Sequence, residues 1–228
     1  AFVAPVDGHF QVFTMPAAGG EPTQRTTGYA EAGHPSFDPT GTRMVFPAQV
    51  AGGSFGLQLL DLETGAIRPL VSGAFHCWSP EWSPDGRLIA FVSDKDGGAG
   101  DLHAVHVATG TVERLTDDPL PERDPRWSAD GRRLVYSRRV AKDHAELWVL
   151  DRARGTRAPV LPDAGLNLQP SFTPDGKAVL FTSNRAGSFN IWQLELASGA
   201  VTPCDPGPHS DQNARPLPAR QSRSSDTL

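Results

Sequence analysis

Short apolar runs rich in β-branched and aromatic residues punctuate the chain, separated by breaks rich in Gly, Pro and Asp. Met44-Val45-Phe46, Ile89-Ala90-Phe91, Leu134-Val135-Tyr136 and Val179-Leu180-Phe181 end 45 residues apart. Ahead of each lies a second signature: His34-Pro35-Ser36-Phe37, Ser79-Pro80-Glu81-Trp82, Asp124-Pro125-Arg126-Trp127 and Gln169-Pro170-Ser171-Phe172. Its prolines and aromatics keep the same 45-residue step. Between the two come Pro84-Asp85-Gly86, Ala129-Asp130-Gly131 and Pro174-Asp175-Gly176, with Pro39-Thr40-Gly41 as the variant member. Asp-Gly between apolar runs predicts a hairpin, because Gly supplies the positive φ the turn requires. A third run (Leu57 to Leu62, Leu102 to Val107, Leu147 to Arg152, Ile191 to Leu196) ends at Gly65, Gly110, Gly155 and Gly199. A fourth, more polar run such as Val112 to Thr116 has the composition of an edge strand.

Repeats near 45 residues belong either to two-helix solenoid units or to four-stranded propeller blades, and the strand content selects blades. Phe2 to Thr27 matches a repeat from its second strand onward, and Asn213 to Leu217 begins another. Three strands, then sixteen, then one make five blades of four. The expected fold is an all-β closed propeller of antiparallel blades over residues 1–218, with repeats starting near 34, 79, 124 and 169. In it the C-terminal strand near Arg215-Pro216-Leu217 completes the N-terminal blade. Residues 219–228 form a polar tail expected to be disordered. The second aromatic column (Phe46, Phe91, Tyr136, Phe181) should be buried, as should Trp82 and Trp127, whereas Trp78 lies outside the column and should be exposed.

The stretch from Ser83-Pro84-Asp85-Gly86 through Ser93-Asp94-Lys95-Asp96-Gly97, followed by Thr109-Gly110 and Arg114-Leu115-Thr116, closely resembles the TolB-type propeller repeat of bacterial envelope proteins. Asp7-Gly8-His9-Phe10-Gln11-Val12-Phe13 is similar to the second hairpin of that repeat. The resemblance covers nearly the whole chain. It implies a periplasmic or secreted protein, and it is shared by propeller domains attached to peptidases and by some polysaccharide lyases. Fold is thereby better specified than function.

A formal charge of −5 with no basic run argues against nucleic acid and anionic membranes as partners. No apolar run approaches bilayer length. The chain begins inside a strand without a signal peptide, as expected of a processed protein or a fragment. Cys77 and Cys204 fall on different blades, too far apart for a disulfide. The neighbouring His76 invites a nucleophile reading of Cys77, but an inert structural thiol is preferred. No nucleophile elbow, zinc-protease helix or phosphate loop is present, so no catalytic residue and no cofactor are assigned. Asp94, Asp96 and Asp101 could hold calcium in a loop, yet Asp and Gly are wanted there for turn geometry.

In internal repeats, columns that vary in polar chemistry are where a site can be built. The column before the repeat proline reads His34, Ser79, Asp124 and Gln169. Nearby loops add His76, Trp78, Glu81, Glu122, Arg123, His209, Asp211 and Asn213. In a propeller these loops meet at the mouth of the central channel. The preferred reading is a non-catalytic site for a protein or peptide on a monomeric module, with partner unspecified. The alternative is a metal-dependent lyase of the oligogalacturonate type, with His34, His76, Gln169 and His209 as ligands; against it stands a rim rich in acids. A peptidase-attached propeller and a set of merely solvated loop groups are the remaining readings.

Overall fold

The computed structural model describes residues 1–49, 53–163 and 165–204, and among these every regular element is a β-strand. The first sheet holds β1 (Phe2–Val6), β2 (His9–Thr14) and β3 (Thr23–Gln24). The second holds β4 (Ser36–Phe37), β5 (Arg43–Gln49), β6 (Phe55–Asp61) and β7 (Ile67–Val71). The third holds β8 (Cys77–Trp82), β9 (Leu88–Ser93), β10 (Asp101–His106) and β11 (Val112–Arg114). The fourth holds β12 (Glu122–Trp127), β13 (Arg133–Ala141), β14 (His144–Asp151) and β15 (Thr156–Leu161). The fifth holds β16 (Asn167–Phe172), β17 (Ala178–Ser183), β18 (Asn190–Glu195) and β19 (Val201–Pro203). Each sheet is an antiparallel meander in chain order, three-stranded in the first and four-stranded in the others. The twentieth strand expected over Asn213 to Leu217 lies outside the described residues.

The apolar runs of the second strands are continuous because these strands are covered on both faces. Side chains alternate across a strand, and in β9 Ile89 and Phe91 join the core shared with the second sheet, while Leu88, Ala90 and Val92 join the core shared with the fourth. Val135 and Leu147 pack likewise against Phe172, Val179 and Phe181 of the fifth sheet, and Val12 of the first sheet packs against Met44 and Phe46 of the second. Four intersheet cores therefore run through the described chain, one at each sequential junction. The second aromatic column is fully buried at Phe46, Phe91, Tyr136 and Phe181, as the sequence predicts. Trp82, Trp127 and Phe172 each fill the junction with the preceding sheet, under the guanidinium groups of Arg43, Arg152 and Arg133 at 4.9, 5.5 and 4.9 Å. Phe37, the first member of that column, departs from it at 39% exposure. Trp78 also departs from expectation: it is half-buried against the core between the third and fourth sheets.

The Asp-Gly turns are wider than a two-residue hairpin. Gly86 N donates to Ser83 O at 2.9 Å, and Leu88 N donates to Ser83 Oγ at 2.9 Å. The turn then leaves through Gly86 at φ +70°, and Gly41, Gly131 and Gly176 sit within a few degrees of it. That left-handed backbone is the reason glycine recurs at this position.

Candidate functional site

Three first strands carry the same backbone irregularity. Pairing of β8 with β9, β12 with β13 and β16 with β17 skips between Trp78 and Glu81, Arg123 and Arg126, and Leu168 and Ser171. At each skip sits the variable residue of the column, Ser79, Asp124 or Gln169, at φ +51°, +54° and +51°. A non-glycine residue there costs roughly 1–3 kcal/mol, and a residue before proline is ordinarily extended. Bulges of this kind re-aim a side chain out of the ladder. Ser79, Asp124 and Gln169 accordingly line one cavity of about 890 Å³. His34 reaches the same cavity without a left-handed backbone, ahead of the two-residue strand β4.

The cavity draws residues from all five repeats: Ala1 from the first, His34, Pro47 and Phe55 from the second, His76, Trp78 and Ser79 from the third, Arg123, Asp124 and Arg126 from the fourth, and Gln169 from the fifth. Ser79 Oγ donates to Asp124 Oδ1 at 3.2 Å, tying neighbouring members of the column. The Arg123 guanidinium lies 5.9 Å from the Trp78 ring centroid. His76 is fixed twice: its backbone N–H donates to Asp94 Oδ1 at 2.6 Å, and its Nδ1 accepts from Phe55 N at 3.3 Å. That second bond leaves the ring proton of neutral His76 on Nε2.

Other predicted site residues are placed elsewhere. Glu81 does not line the cavity; its Oε2 accepts from Ser36 Oγ at 3.2 Å and pairs with Arg126 Nη1 at 3.4 Å. Glu122 is fully buried and does not line the cavity; its Oε2 accepts from Leu102 N at 3.2 Å and from the Thr116 hydroxyl. Its Oε1 has no hydrogen-bond partner among the described residues, with Arg157 Nη1 at 3.5 Å. Burial raises the Glu122 carboxyl to about 7, against the lowering effect of Thr116, Leu102 and Arg157. The acid-rich rim expected from the sequence is thereby corrected: among the described residues the cavity is lined by two guanidinium groups and one carboxylate, Asp124. His209, Asp211 and Asn213 lie outside the described residues.

Phe55, Pro47 and Arg126 line the cavity although the sequence reading did not select them. Arg126 had a signal, since the position after the repeat proline varies as Ser36, Glu81, Arg126 and Ser171. Cys77 is buried, and desolvation pushes its thiol up to about 12, which removes the nucleophile reading. The aspartates of the 94–101 loop are engaged within the protein. Asp94 binds the His76 N–H, Asp96 Oδ2 meets His103 Nε2 at 2.8 Å, and Asp101 Oδ2 receives Arg114 Nη2 at 2.8 Å. Among the described residues no three His, Cys, Asp or Glu side chains come together as a metal site. No helix of the described residues is long and apolar enough to cross a membrane.

Four-stranded meanders packed in sequence, with their first strands converging on one cavity, have the architecture of a β-propeller. The same fold is found in TolB from Acinetobacter baumannii, at TM-score 0.74 and 16% identity over 89% of this chain and 50% of that one. It is found again in a putative TolB from Agrobacterium tumefaciens, at TM-score 0.75 and 22% identity over 86% of this chain and 69% of that one. An oligogalacturonate lyase in complex with manganese is similar at TM-score 0.64 and 18% identity, over 85% and 58% of the two chains. No family model matches the chain, and no curated protein matches it in sequence. The chain spans half the length of the A. baumannii protein.

Proposed function

We propose that this chain is a non-catalytic binding module of the bacterial envelope that holds a protein or peptide in the five-repeat cavity. One observation carries the reading: the framework is constant from repeat to repeat, while the strained bulge residues that line the cavity differ, as Ser79, Asp124 and Gln169. Strain of this kind persists where surrounding structure over-determines it and clusters at binding sites. The apolar flank of Phe55, Trp78 and Pro47 beside a few placed polar groups has the anatomy of a recognition surface. Replacing His34, His76 and Asp124 together by alanine is expected to abolish capture of the partner from an envelope extract. The melting temperature should move by only a few degrees, because His34 and His76 are exposed and half-buried Asp124 gives up one side-chain bond, from Ser79. A variant that keeps full affinity would remove the cavity from consideration.

The second reading, a metal-dependent lyase of acidic polysaccharides, is favoured by the shared position of His34, His76 and Gln169 in a cavity short of acids. Under it, the same triple replacement would release a divalent metal and end uronate cleavage, with no loss of a protein partner.

We further propose that the ring is closed and five-bladed, with Asn213 to Leu217 pairing beside Phe2 to Pro5. Supporting this, β1 is an outer strand of the only three-stranded sheet among the described residues, so one of its edges has no ladder partner there. Truncation before Asn213 is expected to lower stability by several kcal/mol, since opening a ring exposes a sheet edge and strips apolar burial from the blades on either side. Truncation before Arg220 should do little. Equal melting temperatures for both truncated forms and the full chain would contradict closure.

A further inference from the structure

We infer that the peptide held in the cavity presents a carboxylate to Arg123, an inference that rests on the binding reading above. The two arginines of the cavity differ. Arg126 is paired with Glu81 at 3.4 Å, whereas no carboxylate lies within ion-pair distance of Arg123 among the described residues. The Arg123 guanidinium lies 5.9 Å from the Trp78 ring centroid, a contact that uses none of the N–H donors of its planar fork, and no other described side chain takes them. Such a fork matches a carboxylate with two parallel hydrogen bonds.

The surroundings agree with an anionic ligand. Asp124, the carboxylate that lines the cavity among the described residues, already accepts from Ser79 Oγ on the neighbouring repeat. With Arg126 paired to Glu81, Arg123 is the cavity's guanidinium without a carboxylate partner among the described residues. Position also matters: the places equivalent to Arg123 in the other repeats are Gly33, Trp78 and Leu168, so the charge belongs to one repeat alone. Beside it, Phe55, Trp78 and Pro47 offer an apolar flank. An acidic residue followed by an apolar one satisfies both halves.

The test is an NMR titration of the full chain with three probes: the capped tetrapeptide acetyl-Gly-Asp-Phe-Gly-amide, its Asn counterpart, and trigalacturonate. The Asp peptide is expected to move the Trp78 indole and Arg123 side-chain N–H signals and to bind at least about tenfold more tightly than the Asn peptide, the scale of one charge-assisted pair. Arg123→Gln should bring the two peptides within about twofold of each other, a residual set by the neutral contacts alone, while the buried Trp82 indole signal stays in place. Equal binding of both peptides to the native chain would overturn the carboxylate inference and leave the peptide reading standing. If neither peptide moves Trp78, both readings are overturned. Trigalacturonate binding at Arg123 in their place would overturn both and support the lyase reading.

Discussion

Phe91→Ala is expected to destabilise the protein by about 3–5 kcal/mol, the cost of deleting a large buried aromatic and leaving a cavity behind. Phe91 has no exposed surface and stands in the core between the second and third sheets, stacked on His103 at 5.5 Å. The loss should be near the top of the range because both walls are strands held by neighbours, which limits collapse into the void. Phe37→Ala supplies the internal control: at 39% exposure its removal should cost well under half as much. Urea unfolding of both variants checks the prediction. A Phe37 variant as unstable as the Phe91 variant would mean that the columns are misassigned.

Stability should also fall as pH rises from about 4.5 to about 7, and Glu122 should be the cause. Its carboxyl is raised to about 7 from an ordinary 4.5, with burial as the largest cause. Between those values the folded protein holds a proton that the unfolded chain has released. The favourable contribution is therefore complete below the unfolded value and is lost as pH climbs through the folded one. Its ceiling is roughly 3 kcal/mol at 1.36 kcal/mol per unit. The groups around it are Thr116, Leu102 N, Arg157, Asp101 and Tyr136, whose own hydroxyl is pushed upward by burial and by Glu122. Glu122→Gln keeps the shape and removes the titration, so its urea midpoints should lie flat across that interval while the native chain declines. Parallel curves for the two proteins would rule Glu122 out as the source.

The repeat, the strand order within each sheet and the buried aromatic column were all legible, because each rests on a period that packing enforces. Both faces of β9 are covered, so Leu88 to Val92 read as one apolar run, and the run recurs wherever the same covering recurs. The convergence of the column at His34, Ser79, Asp124 and Gln169 was legible for the same reason: equivalent positions in equivalent sheets point to one place. What the sequence hid is chemistry decided by single contacts. An X-Pro pair ordinarily reads as extended, so nothing announced the left-handed backbone at Ser79, Asp124 and Gln169. Nothing local distinguishes Glu122, sunk beneath Thr116 and Leu102, from Arg123 one position on, which is exposed. Glu81 reads as a rim acid until Ser36 and Arg126 are seen to claim it, and Trp78 reads as an outlier until the core beneath it is seen.

That last pair of contacts has a bearing on how such a protein can change in length. Ser36, Glu81 and Arg126 occupy the same position in successive repeats, and each touches the next across a junction. Excising one whole repeat, residues 79–123, would preserve the 45-residue frame and every turn. It would also bring Arg126 opposite Ser36, with a half-buried guanidinium facing a hydroxyl and no carboxylate left to neutralise it. Backbones that are interchangeable thus carry, at these two junctions, contacts that are not. Loss of that unit would therefore call for a matching change at position 36 or 126.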